Sequence, residues 1–535
     1  MKKTRLFILV CLICISWTAR LSAIDLTLDV KTDSQVAGQT QPYGYVKIEG
    51  RKLLVDFDKD GIYELYFIKG VGYSPYPIGR QPTEWNKPNI FNDSQILHRD
   101  FSLLQAMNCN TIRIWKGDDT EEDNGKFPCK ITRTFNPENP GTLDIADEYG
   151  IKVIAGFWIQ TQQPRCEDGK VIYDELAFLT EGSLEQDDLL SRFRAYVNKF
   201  KWDPAILFWA IGNENNFHIP PDRLHEWYAF VDKMAEIAHE VEDPDNFGYY
   251  HPVAVVNGDI MFDKDTVVIG NYDFGTTDAQ MSHLDIWGAN VYRGDSFGEL
   301  FSDFAANSDK PIWIAEYGVD AWHVDDWQDE QPGIGFENQD IQAQWVGKLW
   351  DEIAANSSVA KCGISIGATV MEYSDEWWKP IEWEESGIHD YDGVGPTDTD
   401  CPPDPLDDEE RIDWWPASPD NFFNSEWWGI MAISRPYPDD GGPDIMTPRL
   451  VYYTLQDKFA DEQPHLFLCG DANADCSLNI GDPVYLINYS FKGGPAPEPL
   501  EAGDANGDGS VNIGDAVYLL HYIFKGGPAP VCVGN

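Results

Sequence analysis

The sequence predicts an α/β protein: a (β/α)8 barrel followed by a small all-α calcium-binding module. Three observations predict it. Short apolar runs alternate with amphipathic helical stretches from Leu65 to Met371, the pattern of parallel strands joined by helical crossovers. Two of those runs, Ile206–Glu214 and Ile312–Glu316, end in a carboxylate. Near the C-terminus an acidic loop and an apolar helical stretch recur with a 33-residue period. The 535 residues leave space for at least two domains. The formal net charge of -51 repels phosphate backbones and anionic lipid, which argues against nucleic-acid or membrane-surface binding.

In chain order, Lys2, Lys3 and Arg5 precede an apolar run from Leu6 to Trp17 and then Leu21-Ser22-Ala23. This reads as a secretory signal peptide over residues 1–23, too short to span a bilayer. Residues 24–64 are expected to form an N-terminal β-hairpin segment. Its second half alternates apolar and polar residues from Tyr45 to Tyr66, with a turn at Asp58-Lys59-Asp60-Gly61. Asp56, Asp58, Asp60 and Gly61 imitate the start of a calcium loop, but the twelfth position is Phe67, so the stretch reads as a hairpin turn.

The barrel is expected over residues 65–459. Its candidate strands are Leu65–Gly72, Thr111–Trp115, Lys152–Trp158, Ile206–Gly212, Pro252–Val256, Ile286–Tyr292, Ile312–Glu316 and Gly363–Met371. Candidate helices include His98–Met107, Leu189–Phe200, Pro221–Glu242 and Ile341–Ala355. A Pro- and Asp-rich insertion, Glu382–Asn424, is too long for a connector and is expected to roof the barrel. A linker at 460–469 leads to the repeat at 470–530. Cys469 and Cys532 flank the repeat and are placed to staple its ends, and Cys129 with Cys166 is the next candidate pair. Cys109 and Cys362 read as buried apolar thiols.

A barrel of this type carries its active site at the C-terminal strand ends. A glutamate closing a buried strand is costly unless paired or used. Glu214 and Glu316 on one rim suit glycoside cleavage, in which one carboxyl protonates the leaving oxygen and the other attacks the anomeric carbon or activates water. Either glutamate alone also reads as an ion-paired strand end.

Asn213-Glu214 after strand four and Glu316 after strand seven resemble the clan of retaining (β/α)8 glycosidases, which includes family-two, cellulase-like and β-1,3-glucanosyltransferase-like enzymes. Phe67-Ile-Lys-Gly-Val-Gly-Tyr-Ser-Pro, Arg99-Asp100, Asn110-Thr-Ile-Arg113-Ile-Trp115, Trp427-Trp-Gly-Ile and Pro448-Arg449 are similar to segments of the same clan. The resemblance spans residues 45 to 459. It implies that Glu214 is the general acid and then base, and that Glu316 is the nucleophile. Asn213 would bond a sugar 2-hydroxyl, Arg113 and Tyr292 would hold Glu316 ionised, and Trp377 or Trp378 would floor the subsite. In a retaining site the carboxyls stand about 5–5.5 Å apart. Arg113 also reads as a structural ion-pair partner, Tyr292 as core, and the Trp pair as packing. His218, His251 and His283 read as satisfied structural residues. Trp115, Trp158, Trp322, Trp327, Trp414 and Trp415 read as core more readily than as sugar platforms.

In the repeat, Asp471, Asn473, Asp475, Asn479 and Asp482 fall at loop positions 1, 3, 5, 9 and 12, and Asp504, Asn506, Asp508, Asn512 and Asp515 do so in the second copy. Oxygen ligands at this spacing wrap Ca²⁺, with Ser477 and Ser510 giving backbone carbonyls at position 7. The paired units resemble the type I dockerin, which implies a cohesin-type scaffold as partner. Cys476 replaces the turn glycine of the first loop, and Ile480-Gly481 and Ile513-Gly514 stand where dockerins often carry Ser-Thr. The expectation is a secreted retaining β-glycoside hydrolase acting on poly- or oligosaccharide. Its rivals are a β-glucan transglycosylase on the same residues and a non-catalytic carbohydrate-binding or scaffold protein.

Overall fold

The computed structural model describes residues 45–532, except 59, 81–88, 118–129, 139, 162–164, 168–169, 173–175, 244–249, 264–265, 324–326, 329–330, 333–335, 360–362, 378–418, 420–425, 437–442, 461–467, 476 and 498. The expected signal peptide, nearly all of the 382–424 insertion, most of the linker, Cys129, Cys362, Cys476, Trp378, Trp414 and Trp415, and the side chains of Cys166 and Trp327, lie outside the described residues. No helix among the described residues is long and apolar enough to cross a membrane.

The described residues open with three antiparallel strands, β1 (Val46–Glu49), β2 (Lys52–Val55) and β3 (Glu64–Leu65). The expected hairpin is thus a three-stranded sheet. Gly50, at φ +60°, supplies a first turn that the alternation did not show, and Leu65 ends this sheet rather than opening the barrel. The turn expected at residues 58–61 joins β2 to β3, where the buried Asp56 carboxylate accepts from the N–H groups of Asp60 (3.1 Å) and Gly61 (3.1 Å). Val46, Leu53 and Val55 pack with Ile68, Phe208 and Trp313 inside the barrel, so this sheet plugs one end.

The barrel follows as β4 (Ile68–Gly72), α1 (Ser94–Ala106), β5 (Thr111–Ile114), α2 (Thr142–Tyr149), β6 (Lys152–Phe157), α3 (Leu184–Phe200), β7 (Ile206–Ile211), α4 (Leu224–Glu242), β8 (Val253–Asn257), β9 (Ile286–Asn290), α5 (Leu300–Asn307), β10 (Ile312–Glu316), α6 (Gln339–Ala355) and β11 (Ser365–Val370). Strands β4 to β11 pair in parallel and in sequence order, and β11 closes on β4 with Gly367 opposite Ile68. Each was legible as an apolar run because parallel strands covered on both faces need no polar alternation. Asp93 caps α1, accepting from the N–H groups of Gln95 and Ile96, and Ser183 caps α3.

At the β11–β4 seam the fully buried Asp100 of α1 accepts from the hydroxyls of Tyr73 (2.9 Å) and Tyr373 (3.0 Å), which lie just beyond β4 and β11, and from Arg99 Nε (2.6 Å). After the barrel, β12 (Met431–Ser434) pairs antiparallel with β13 (Ile445–Pro448), and α7 (Leu450–Ala460) follows. Arg449, 1 % exposed, grips Asp375 with both Nη atoms (2.6 and 2.8 Å), Glu337 through Nε (2.7 Å) and the Gly429 carbonyl (2.6 Å). One guanidinium therefore ties the segment after β11, the start of α6 and the closing segment together.

The C-terminal repeat folds as two loop–helix units, with α8 (Gly481–Lys492) and α9 (Ile513–Lys525). Ala472, Leu486, Ala505, Ala516 and Leu519 form a small core of their own. Both helices end at a left-handed glycine, Gly493 and Gly526. A disulfide joins Cys469 to Cys532, while Cys109 is a buried free thiol.

Candidate active site

The site is assembled from strand ends that are distant in sequence. Strand β7 stops at Ile211, and the chain then turns sharply through Gly212 at φ +67° and Glu214 at φ +54°. A glutamate in the left-handed region is uncommon. The turn is held by Asn215, 1 % exposed, which accepts from Asn213 N–H (3.0 Å) and donates to the Ile159 carbonyl (3.0 Å) and to Thr161 (2.9 Å). Asn213 and Glu214 are thereby placed half-buried at the barrel mouth.

Glu316 ends β10 at 7 % exposure. Its Oε1 accepts from Arg113 Nη1 (2.8 Å) and from the indole of Trp115 (2.8 Å), and its Oε2 accepts from the Tyr292 hydroxyl (2.8 Å). Arg113, on β5 and 1 % exposed, spends its other donors on the Ala315 carbonyl (2.9 Å) and Asn213 Oδ1 (2.5 Å). Asn290, the last residue of β9, donates to Glu214 Oε1 (3.0 Å) and Asn213 Oδ1 (3.2 Å), and its own oxygen accepts from Arg113 (3.3 Å). Both carboxylates therefore belong to one hydrogen-bonded array with a single guanidinium at its centre.

Burial pulls Arg113 below the usual guanidinium range, and the Glu316 charge opposes that pull. Burial, and then the Glu316 and Glu214 charges, hold the Tyr292 phenol well above its usual range. Tyr292 thus stays a donor. The Trp115 ring lies over Gly72, where a Cβ would fall 2.4 Å from the indole, and under the Arg113 guanidinium at 4.7 Å. The Trp428 ring meets Tyr292 edge-on at 5.1 Å.

Of the expected site residues, Arg113, Asn213, Glu214, Tyr292 and Glu316 come together. Trp377 lies half-buried in the turn after β11. His218 shares a hydrogen bond with Thr161 (2.7 Å) on the rim, and burial lowers its pKa. His251 pairs with the buried Glu242 at the end of α4 (3.0 Å), and His283 pairs with Asp232 (2.8 Å). Trp158 bonds Gln160 (3.2 Å), and Trp322 packs on Trp427 at 4.5 Å. Sequence reasoning missed the position of Trp115 on Glu316, and missed Asn290 and Trp428 as neighbours of the array. A partial signal existed for Trp115, two residues beyond Arg113.

In the repeat, Asp471, Asp475 and Asp482 bring carboxylate oxygens within 4.8 Å of one another. Asp482 is fully buried and accepts from Asn479 N–H (2.9 Å) and Asn473 N–H (3.5 Å). Burial, with the Asp471 and Asp475 charges, pushes its carboxyl up to about 6. In the second loop the buried Asp515 likewise accepts from Asn512 N–H (2.8 Å) and Asn506 N–H (3.2 Å). Two buried carboxylates, Asp471 and Asp482, beside the exposed Asp475 make a set of hard oxygen donors that fits a divalent cation.

Residues 131–376 match the model of the glycosyl hydrolases family 2, TIM barrel domain, and residues 469–524 match that of the dockerin type I domain. The first segment is shorter than the expected span of 45 to 459. It contains Glu214 and Glu316 but not Arg113. No curated protein matches the chain. Several solved structures are similar to it. A β-D-glucuronidase of Dictyoglomus thermophilum is 13 % identical, with 78 % of this chain and 53 % of that chain covered, at a TM-score of 0.43. A β-glucuronidase of Faecalibacterium prausnitzii is 15 % identical, with 78 % and 51 % covered, at 0.45. Saccharomyces cerevisiae Gas2p in complex with laminaripentaose is 14 % identical, with 78 % and 69 % covered, at 0.41. The chain spans about half the length of these glucuronidases.

Proposed function

We propose that this chain, a glycoside hydrolase with a family-two TIM-barrel domain and a type I dockerin domain, is a secreted retaining enzyme acting on β-linked poly- or oligosaccharide. The observation that carries the reading is the single array joining Glu214 and Glu316 at the ends of β7 and β10. Glu316 attacks the anomeric carbon while Glu214 protonates the departing oxygen, and a glycosyl ester forms on Glu316. Glu214 then takes a proton from the incoming water as that ester breaks. Arg113, Trp115 and Tyr292 place three donors on the Glu316 carboxylate and orient it. Asn213, fixed by Arg113 and Asn290, stands beside the glycone as the candidate partner of its 2-hydroxyl.

In the dockerin, Asp471, Asn473, Asp475, Asn479 and Asp482, with the Ser477 carbonyl, would hold one Ca²⁺. Asp504, Asn506, Asp508, Asn512 and Asp515, with the Ser510 carbonyl, would hold a second. When bound, the ion would supply the positive charge that offsets these clustered carboxylates. A cohesin-type scaffold is the partner that this domain implies. Secretion rests on the charged and apolar pattern of residues 1–23. NMR of products from a β-glucan and β-mannan panel tests the catalytic reading. The β-anomer as first-formed product is expected, and the α-anomer would overturn retention.

A further inference from the structure

Three residues beyond Glu214 the chain exposes a large aromatic ring. Phe217 closes the 3₁₀ turn Asn215–Phe217, and its N–H donates to the Glu214 carbonyl (3.0 Å). It is 46 % exposed, whereas Asn215 and Asn216 on the same turn are 1 % exposed. Single exposed apolar side chains are common and usually mean nothing. Two features set this one apart. Its ring lies against the bare backbone of Gly258, just past β8: a Cβ there would fall 1.9 Å from Phe217 Cε2 and 2.2 Å from Cζ. The Gly258 N–H also donates to Asn216 Oδ1 (2.8 Å), which locks the two loops together. The ring is thus seated rather than loose, with one side on backbone and nearly half of its surface open to solvent.

The position follows from the chemistry. Glu214 protonates the leaving oxygen, so a ring carried on the turn of Glu214 flanks the sugar that leaves, not the one that becomes esterified. Sugar rings present flat C–H faces, which an aromatic ring covers without hydrogen bonds. The geometry points to Phe217 as the platform for the sugar on the leaving-group side, and hence for a sugar that arrives there as acceptor. This rests on the catalytic reading above. In the transfer step the acceptor hydroxyl oxygen attacks the anomeric carbon, the ester bond to Glu316 breaks, and the Glu214 carboxylate receives the hydroxyl proton. Phe217 takes no part in these bond changes; it holds the acceptor where its hydroxyl can reach.

The test traps the glycosyl-enzyme and asks what releases it. The wild type and Phe217→Ala are labelled with 2,4-dinitrophenyl 2-deoxy-2-fluoro-β-glycosides of the gluco, galacto and manno series. Reactivation is then timed in buffer and with added cellobiose or laminaribiose. The expected result is that acceleration by the disaccharide falls about tenfold more than reactivation by water in Phe217→Ala, and that Phe217→Trp restores it. Equal losses in the two rates, or an unchanged response to disaccharide, would overturn the platform alone. A wild type that the reagents label on a residue other than Glu316 would overturn the reading of Glu316, and the platform with it.

Discussion

The barrel mouth and the C-terminal loops both crowd carboxylates into buried ground, and they balance the charge differently. At the mouth the chain supplies its own cation: Arg113 sits 2.8 Å from Glu316, and the Trp115 and Tyr292 donors complete the shell. In the loops, Asp482 and Asp515 meet backbone N–H groups and other carboxylates. The difference teaches that a carboxylate proposed to react is held by a fixed partner within the chain, whereas the loop carboxylates leave their charge to be met from solution.

The sharpest way to break this contrast is Glu316→Ala. Turnover on an aryl β-glycoside should fall at least ~10³-fold, because the proposed covalent path would be gone. Arg113 keeps the Ala315 carbonyl and Asn213 as acceptors, so circular dichroism and melting should still report a folded barrel. Next comes Arg113→Met, which strands a nearly buried carboxylate. A loss of about 10²–10³ in kcat/KM is expected, with a denaturant-measured destabilisation of about 3–5 kcal/mol. Activity close to wild type would mean that the internal cation is dispensable. On the other side of the contrast, EDTA should lower or remove the calorimetric transition of the repeat while the barrel transition stays in place. A single unchanged trace would show that these loops need no ion.

The smallest effect belongs to Tyr292→Phe, which removes one of the donors on Glu316. A loss of roughly tenfold in kcat/KM is expected for one hydrogen bond to a charged group. The Tyr292 phenol is raised above its ordinary value, so it remains protonated on the alkaline side of neutrality. The alkaline limb of the pH profile should therefore keep its position in the variant, and a displaced limb would show that Tyr292 itself titrates.

Much of this was legible in the sequence. All eight barrel strands announce themselves as apolar runs, since each is buried on both faces. Glu214 and Glu316 stand out because a carboxylate closing such a run needs a reason. Asn290 did not stand out. The β9–β10 register shifts after Ala289, so Asn290 pairs with Glu316 rather than with the residue before it. No local pattern encodes that slip. Trp115 looked like core because its position says only that it ends a candidate strand, whereas its indole reaches Glu316 across the mouth, 201 positions away. Trp428 depends on the closing segment returning to Tyr292, a tertiary event.

The seam where the first and last barrel strands meet has a consequence for how the ring is made. Asp100 finds Tyr373 only when segments 273 positions apart have come together. Until then β4 and β11 are bare edges, open to strands from other chains. Contacts this distant along the polymer form late and slowly. Crowded chains are thus at greatest risk of mispairing just before the circle is completed.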